Sequence, residues 1–190
     1  MVTNSRHPRR GQAGASLVEV LIAMVVLAIG LLGLVGLQGK LQVLQVESYQ
    51  RAQALLLLHD MAGRISLNRS DAASYVVGAP VGVGAACPVP GTRAESDMAE
   101  WCAALQGAAE TNGGNVGAMI GGRGCVQVFG PVENSEYLVT VAWQGLGPIS
   151  APPVNVDCAT GDYDGAAGTP CVGDLCRRVV TTIVRIADLT

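Results

Sequence analysis

The sequence predicts an α+β fold in which one long N-terminal helix, half apolar and half amphipathic, packs on a small antiparallel sheet. Three observations predict this fold. An uncharged apolar run extends from Val20 to Gly39, and a helical spacing of apolar residues follows it to about Ile65. Three segments with strand character occupy the second half of the chain. All six cysteines come after the apolar run, so we expect disulfides to staple the C-terminal region.

Composition limits what the distal part can be. Of the 190 residues, 49% are hydrophobic, and the mean hydropathy of +0.38 is high for a soluble protein. Much of that excess lies in the N-terminal third, which leaves roughly 120 residues, enough for one small domain. With one Phe and two Trp, its core must be built from smaller aliphatic side chains.

The charge is unevenly distributed. The first 14 residues hold Arg6, Arg9 and Arg10 and no acid, so without them the net charge changes from −3 to −6. The distal part therefore has no basic patch, which argues against nucleic acid as its main partner. Arginines before an apolar run predict a cytoplasmic N-terminus, with the following domain outside the cytoplasm.

The run from Val20 to Gly39 is long enough to cross a bilayer as a helix of about 30 Å. A plain signal anchor is one interpretation. A cleaved secretory signal is another, although Gln38, Gly39 and Lys40 do not supply the small-residue cleavage site that such a signal needs. An amphipathic helix then continues and stops near Ser66-Leu67-Asn68. Its predicted stripe is Leu41, Leu44, Ala52, Leu55, Leu58, Ala62 and Ile65.

Two features of the apolar run need an explanation. Glu19 stands at its edge, where a charge is costly and calls for a partner. Gly30, Gly33 and Gly36 interrupt it, each at a cost of about 1 kcal/mol of helix propensity relative to Ala. Close helix packing through small residues explains the glycines, and so does a helix that loosens when it leaves lipid.

The stretch Gly14-Ala15-Ser16-Leu17-Val18-Glu19, followed by the apolar helix, resembles the prepilin signature of type IV pilins and type II secretion pseudopilins. This resemblance implies that a prepilin peptidase cuts after Gly14 and that the new N-terminal residue, Ala15, is methylated. It also implies that Glu19, the fifth mature residue, acts in assembly by pairing with the N-terminal amine of a neighbouring subunit. The first mature residue of the family is usually Phe, and Ala15 departs from that pattern.

The same resemblance implies a division of the chain. Residues 1–14 are a cleaved basic leader, 15–39 the transmembrane and filament-core helix, 40–66 its amphipathic continuation, and 67–190 a periplasmic or extracellular pilin head. The implied partners are the prepilin peptidase and methylase, other minor and major pilins, the inner-membrane assembly platform and membrane lipid. The protein is expected in the inner membrane before assembly and in a cell-surface pilus afterwards.

A narrower resemblance is to the PilV-type minor pilins, which are implied to initiate pilus assembly or to lie near the tip. It is carried by residues 29–38 of the apolar helix, by Trp101, and by Val139-Thr140-Val141-Ala142-Trp143-Gln144. The minor pseudopilins of type II secretion, of the I-like class, share much of it. They are the alternative from the same superfamily.

A second helix and a turn are predicted in the distal domain. Thr92-x-x-Glu95 has the spacing of a capping box, and Asn112-Gly113-Gly114 marks the end of this region. One helical face carries Met98, Trp101, Cys102 and Leu105. Acids on this helix and after it (Glu95, Asp97, Glu100 and Glu110) are interpreted as a solvated face, because no nucleophile or base is grouped with them.

The predicted strands are Cys125–Phe129, Glu136–Gln144 and Arg177–Ile186. In the second strand Tyr137, Val139, Val141 and Trp143 share one face, so Trp143 is assigned to the core or the sheet. Gly121-Gly122-Arg123-Gly124 is assigned to a turn, since it lacks the features of a phosphate loop.

The long segment from Gln144 to Leu175 has no periodicity, and we expect disulfides to tie it to the last strand. The candidates for disulfide formation are Cys87, Cys102, Cys125, Cys158, Cys171 and Cys176, and their 15 possible pairings stay open. The aspartates of the segment (Asp157, Asp162, Asp164 and Asp174) do not have EF-hand spacing. Without a CxxC pair, a zinc site or a membrane-anchored thiol oxidoreductase is disfavoured, and we predict a non-enzymatic protein without metal or cofactor.

Overall fold

A computed structural model describes residues 16–108, 117, 119–130 and 136–187. Gly14, Ala15, the basic leader and the predicted turn at Asn112-Gly113-Gly114 lie outside these residues. The chain forms two compact units, Met1–Gln42 and Val43–Thr190. Helix α1, Leu17–Leu67, has 51 residues and contributes to both units, which confirms the single long helix predicted from the sequence.

In the first unit, the described residues are one end of α1. The helix begins at a serine cap: the Val18 N–H donates to Ser16 Oγ at 3.3 Å, and the Glu19 N–H donates to the Ser16 carbonyl at 2.9 Å. Every residue from 17 to 42 is exposed. The most apolar 18-residue window of α1 has a mean hydropathy of 2.9 and none of it is buried, so α1 is long and apolar enough to cross a membrane.

The second unit contains the rest of α1 and an antiparallel sheet. A 3₁₀ segment, Arg69–Tyr75, follows α1, and α2 spans Arg93–Leu105. The four strands are β1 (Val81–Gly82), β2 (Arg123–Val128), β3 (Glu136–Gln144) and β4 (Arg177–Arg185), in the sheet order β1-β2-β3-β4. The three predicted strands are confirmed, and β1 is an addition of only two residues. The turn assigned to residues 121–124 is wrong at Arg123 and Gly124, which pair with β3 as the first residues of β2.

One face of the sheet packs on both helices and forms the main core. Trp101 of α2 is completely buried, and its indole N–H donates to the Leu57 carbonyl of α1 at 2.9 Å. The ring of Trp101 lies directly over Gly124 of β2, where any Cβ would collide with it. The core side chains of α1 are Ala54, Leu57, Leu58, Met61 and Ile65.

The predicted apolar stripe of α1 is therefore wrong at several positions. Leu41, Leu44, Ala52 and Leu55 are exposed, while Ala54 and Leu57 are buried instead. Residues 55–58 are four consecutive leucines, so more than one helical face satisfies the apolar spacing. Packing against α2 and the sheet selects the face.

The other face of the sheet is covered by the long segment after β3. Cys158, Ala159 and Tyr163 of that segment pack on Cys125 and Ala142. Disulfides join Cys125 to Cys158 and Cys171 to Cys176. The predicted stapling is confirmed at Cys176, just before β4, and the second bond attaches the segment to β2 rather than to the last strand.

The capping box of α2 is confirmed. The Glu95 N–H donates to Thr92 Oγ1 at 3.2 Å, and the Thr92 N–H donates to Glu95 Oε2 at 2.7 Å. The third disulfide, Cys87–Cys102, fixes the preceding loop to this helix. The buried face of α2 is the predicted one.

Candidate functional site

Glu19 lies in the first turn of α1, at the third helical position after the Ser16 cap. Its carboxylate is exposed and has no cation or hydrogen-bond donor among the residues that the structure describes. The helix dipole favours an acid in a first turn by about 0.3–1 kcal/mol. Its flanking side chains, Val18 and Val20, are exposed and apolar. This arrangement leaves one carboxylate on an apolar helical surface, available to a group from another molecule.

Among the described residues, no neighbour requires glycine at three positions of the apolar run. A Cβ built at Gly30, Gly33 or Gly36 meets no atom within 4 Å. The helix has ordinary room for side chains at these positions, so packing among the described residues does not explain the choice of glycine. Two explanations for these glycines remain, which are a contact with a helix of another molecule and a need for α1 itself to loosen.

All six cysteines are bonded in pairs, and the structure contains no free cysteine. The pairs connect a loop to α2, the long segment to β2, and the end of that segment to the start of β4. Each bond therefore links a loop of the second unit to a neighbouring helix or strand. The thiol oxidoreductase alternative has no support in this arrangement.

The acids of α2 are used in an ionic cluster, and the prediction of a solvated face is wrong for Asp97. Its side chain is only 14% exposed, and Arg64 of α1 lies 2.9 Å from Asp97 Oδ1 and 2.8 Å from Glu100 Oε2. The Tyr75 hydroxyl donates to Asp97 as well. Burial alone lowers the pKa of Arg64, but its hydrogen bonds to Glu100 and Asp97 outweigh that effect and raise the pKa above its ordinary value. Glu110 lies outside the described residues.

The aspartates of the long segment are hydrogen-bonded to the protein. Asp164 accepts from the backbone N–H groups of Gly173 and Asp174, at 3.1 and 2.8 Å. Asp174 accepts from the Gly161 N–H at 2.8 Å. Within the described ranges, no group of three or more His, Cys, Asp or Glu side chains is arranged to hold a metal ion.

Sequence reasoning missed two residues that build these regions. Arg177 looks like the solvent-facing start of a strand, yet it is 3% exposed, and its Nη1 donates to the carbonyls of Val156 and Cys158 at 2.7 and 3.0 Å. No local sequence signal identifies it. The other residue is the helix cap Ser16, for which the sequence does carry a signal, because Ser16-x-x-Glu19 has the spacing typical of a helix start.

Comparison with known proteins adds one finding. A family model described as the prokaryotic N-terminal methylation motif matches residues 9–35, which include Gly14, Glu19 and most of the apolar run. No curated protein and no solved structure matches the chain. The motif is consistent with the type IV pilin superfamily and supports a type IV pilin-like or pseudopilin protein. It implies processing by prepilin peptidase and assembly with other pilins, and together with α1 it fits membrane anchoring.

Proposed function

We propose that this protein is a minor type IV pilin of the PilV type, which acts in pilus biogenesis as an initiating or tip-proximal subunit and is not an enzyme. The observation that carries the proposal is the Glu19 carboxylate, which has no partner among the described residues and lies in the first turn of an exposed apolar helix. A lone carboxylate at a membrane edge needs a partner from another molecule. The methylation motif around it supplies a chemical candidate, the amine created by cleavage of a neighbouring subunit.

The proposed mechanism is assembly through α1. The precursor inserts with residues 20–37 in the bilayer, prepilin peptidase removes the leader after Gly14, and Ala15 is methylated. The subunit then moves from lipid into a filament whose core is formed by apolar helices. The assembly platform and other minor and major pilins are the partners, and the unit from Val43 onward forms the outer head.

The proposed pair between Glu19 and a neighbour's amine determines the register between subunits. Two unit charges 4 Å apart attract by about 4 kcal/mol at an effective dielectric constant of 20. Desolvation of both groups offsets much of that attraction. The apolar side chains around Glu19 therefore supply most of the binding free energy, while the pair penalises every register in which it is not formed.

The glycines of α1 assist the movement of the subunit from lipid into the filament. In lipid they permit close helix contacts, and in a filament they let the helix give up regular hydrogen bonds at low cost. Both roles are compatible with the open space around Gly30, Gly33 and Gly36.

Processing is tested by changing the cleavage position. Gly14→Leu should leave the protein at its precursor length, because a bulky side chain blocks the peptidase, whereas Gly11→Leu in the same leader should be processed normally. Intact mass and N-terminal sequencing of protein from the native host provide the measurement. Normal shortening of the Gly14→Leu protein would refute the processing step.

Assembly is tested at Glu19. Glu19→Ala should be inserted and cleaved normally but should reduce the number of pili at least tenfold, whereas Glu19→Asp, which keeps the charge, should retain part of the function. Pili are counted by electron microscopy in cells with equal amounts of each protein. Wild-type pilus numbers with Glu19→Ala would remove the pairing role.

The second candidate is a minor pseudopilin of type II secretion, since the methylation motif supports both classes. Deletion of the gene separates them. A minor pilin predicts loss of pili with normal protein secretion, and a pseudopilin predicts the reverse.

A further inference from the structure

A groove with an excess of positive charge opens on the second unit beside α1. Two adjoining cavities of about 230 and 240 Å³ share Arg51, Trp143, Ile149 and Arg178, and the first also contacts Leu44 and Glu47. These six residues define the basic groove. Each cavity is below the roughly 300 Å³ at which sites for drug-sized ligands begin. The groove is therefore suited to a head group or a single side chain.

One of the two cations in the basic groove is already neutralised. Arg178 Nη2 lies 3.3 Å from Glu47 Oε1 and donates to the Gly147 carbonyl at 2.6 Å. Glu47 is held in place because its Oε1 also accepts from the Leu146 N–H at 3.1 Å. Arg51 is exposed and has no carboxylate within 4.0 Å among the described residues, so its guanidinium is available to an anion.

The other side chains of the basic groove give it an interfacial character. Trp143 is 4% exposed, and its indole N–H has no acceptor in the part of the chain that the structure describes. Leu44 and Ile149 are 60% and 55% exposed. The ring of Trp143 forms the buried floor of the basic groove, whereas Leu44, Ile149 and Arg51 are its exposed side chains. Exposed aliphatic groups beside an arginine are typical of surfaces at the boundary between lipid and water.

The basic groove begins a few residues along the chain from the apolar run. Leu44 comes five residues after Gly39, the last residue of the uncharged run, and Arg51 follows two helical turns later. A guanidinium binds a phosphate through parallel N–H···O bonds. We propose that the basic groove binds the phosphate of an anionic phospholipid in the leaflet nearest the head while the subunit is anchored. This inference rests on the membrane anchoring in the proposed function.

The test measures the lipid that stays with the full-length protein. Wild-type protein is reconstituted into nanodiscs of equal phosphatidylglycerol and phosphatidylcholine, then transferred to detergent, and retained lipid is counted by mass spectrometry. Wild type should retain phosphatidylglycerol in preference to phosphatidylcholine. Arg51→Gln should lower that retention about fivefold, the effect of removing one interfacial cation. Arg69→Gln, an exposed arginine that lines neither cavity, should match wild type.

The other outcomes each refute a specific statement. Equal phosphatidylglycerol retention by wild type and Arg51→Gln would overturn the lipid site. If Arg51→Gln instead weakens cross-linking to a neighbouring pilin at unchanged lipid retention, the occupant is an acidic side chain and the proposal is wrong. Failure of the wild-type protein to enter nanodiscs would refute membrane anchoring, and with it the proposed function itself.

Discussion

The two units of this chain differ in how much of their apolar surface is exposed. From 17 to 42, the first unit exposes every residue, and its side chains are mostly Leu, Val and Ile. The second unit packs apolar clusters on both faces of its sheet and closes three disulfides. A soluble protein rarely leaves so large an apolar surface uncovered. In the proposed function, lipid and other subunits cover the apolar surface of the first unit, whereas the second unit is held together by its own contacts.

This difference separates the consequences of mutation. Changes in the second unit should alter its free energy of unfolding, because its contacts are internal. Changes between residues 17 and 42 should alter insertion or assembly and leave that free energy unchanged. A substitution between residues 17 and 42 that changes the free energy of unfolding of the second unit would contradict this comparison.

The largest effect is expected from the disulfide that attaches the long segment to β2. Cys125 and Cys158 are 33 residues apart, and chain-entropy arguments give such a cross-link about 4 kcal/mol of stabilisation. The double variant Cys125→Ala/Cys158→Ala should lose that amount in denaturant unfolding followed by tryptophan fluorescence. It should also expose Tyr163, because the segment packs on this face of the sheet.

The shorter disulfide is the control. Cys171 and Cys176 are only 5 residues apart, so the same argument gives about 2 kcal/mol. An equal loss in both double variants would show that local packing, not loop length, determines these contributions.

The next effect is an alkaline loss of stability at Tyr163. Burial raises the pKa of Tyr163 to about 12, and its hydroxyl donates to the Gly121 carbonyl at 2.7 Å. A raised pKa stabilises the fold below pH 10, the ordinary tyrosine value, and this contribution is lost as the pH rises from about 10 to 12. Two pKa units correspond to about 3 kcal/mol at most.

The test compares the unfolding of Tyr163→Phe with that of wild type as a function of pH. The variant should be less stable by about 1 kcal/mol at pH 8, from the lost hydrogen bond, but its unfolding midpoint should fall less between pH 10 and 12. Burial also raises the pKa values of Tyr75 and Tyr137, so some alkaline sensitivity should persist. An identical pH profile for the variant and wild type would refute the assignment to Tyr163.

A somewhat smaller effect is expected at Gly124. A methyl group there collides with the buried ring of Trp101, which is itself held by the hydrogen bond to Leu57. Gly124→Ala should therefore cost about 1–3 kcal/mol of unfolding free energy. Gly147→Ala, at a position with open space around it, should cost far less. A neutral Gly124→Ala would mean that the helix–sheet contact adjusts more easily than its geometry indicates.

The features that could be predicted from the sequence are those that depend on neighbouring residues. Local signals identified α1, the capping box of α2 and the alternation of β3, because each depends on neighbouring residues. The buried face of α1 was misassigned, since four consecutive leucines fit several faces. The disulfide partners and the role of Arg177 depend on contacts between distant segments, which periodicity does not reveal. At the candidate site, Glu19 was found because a charge beside an apolar run is a local anomaly.

The smallest effect compares two glycines of the same helix. Gly33 and Gly63 both lie in α1 with open space around them, and Ala is favoured over Gly in a helix by about 1 kcal/mol. Gly63 belongs to the second unit, so Gly63→Ala should raise its unfolding free energy by up to that amount. Gly33→Ala should leave it unchanged, because residue 33 is outside that unit, and should instead reduce pilus number. Full-length protein in detergent gives the first measurement and electron microscopy the second. Equal stabilisation by both substitutions would show that α1 unfolds as one element, and the two units would then be a single cooperative structure.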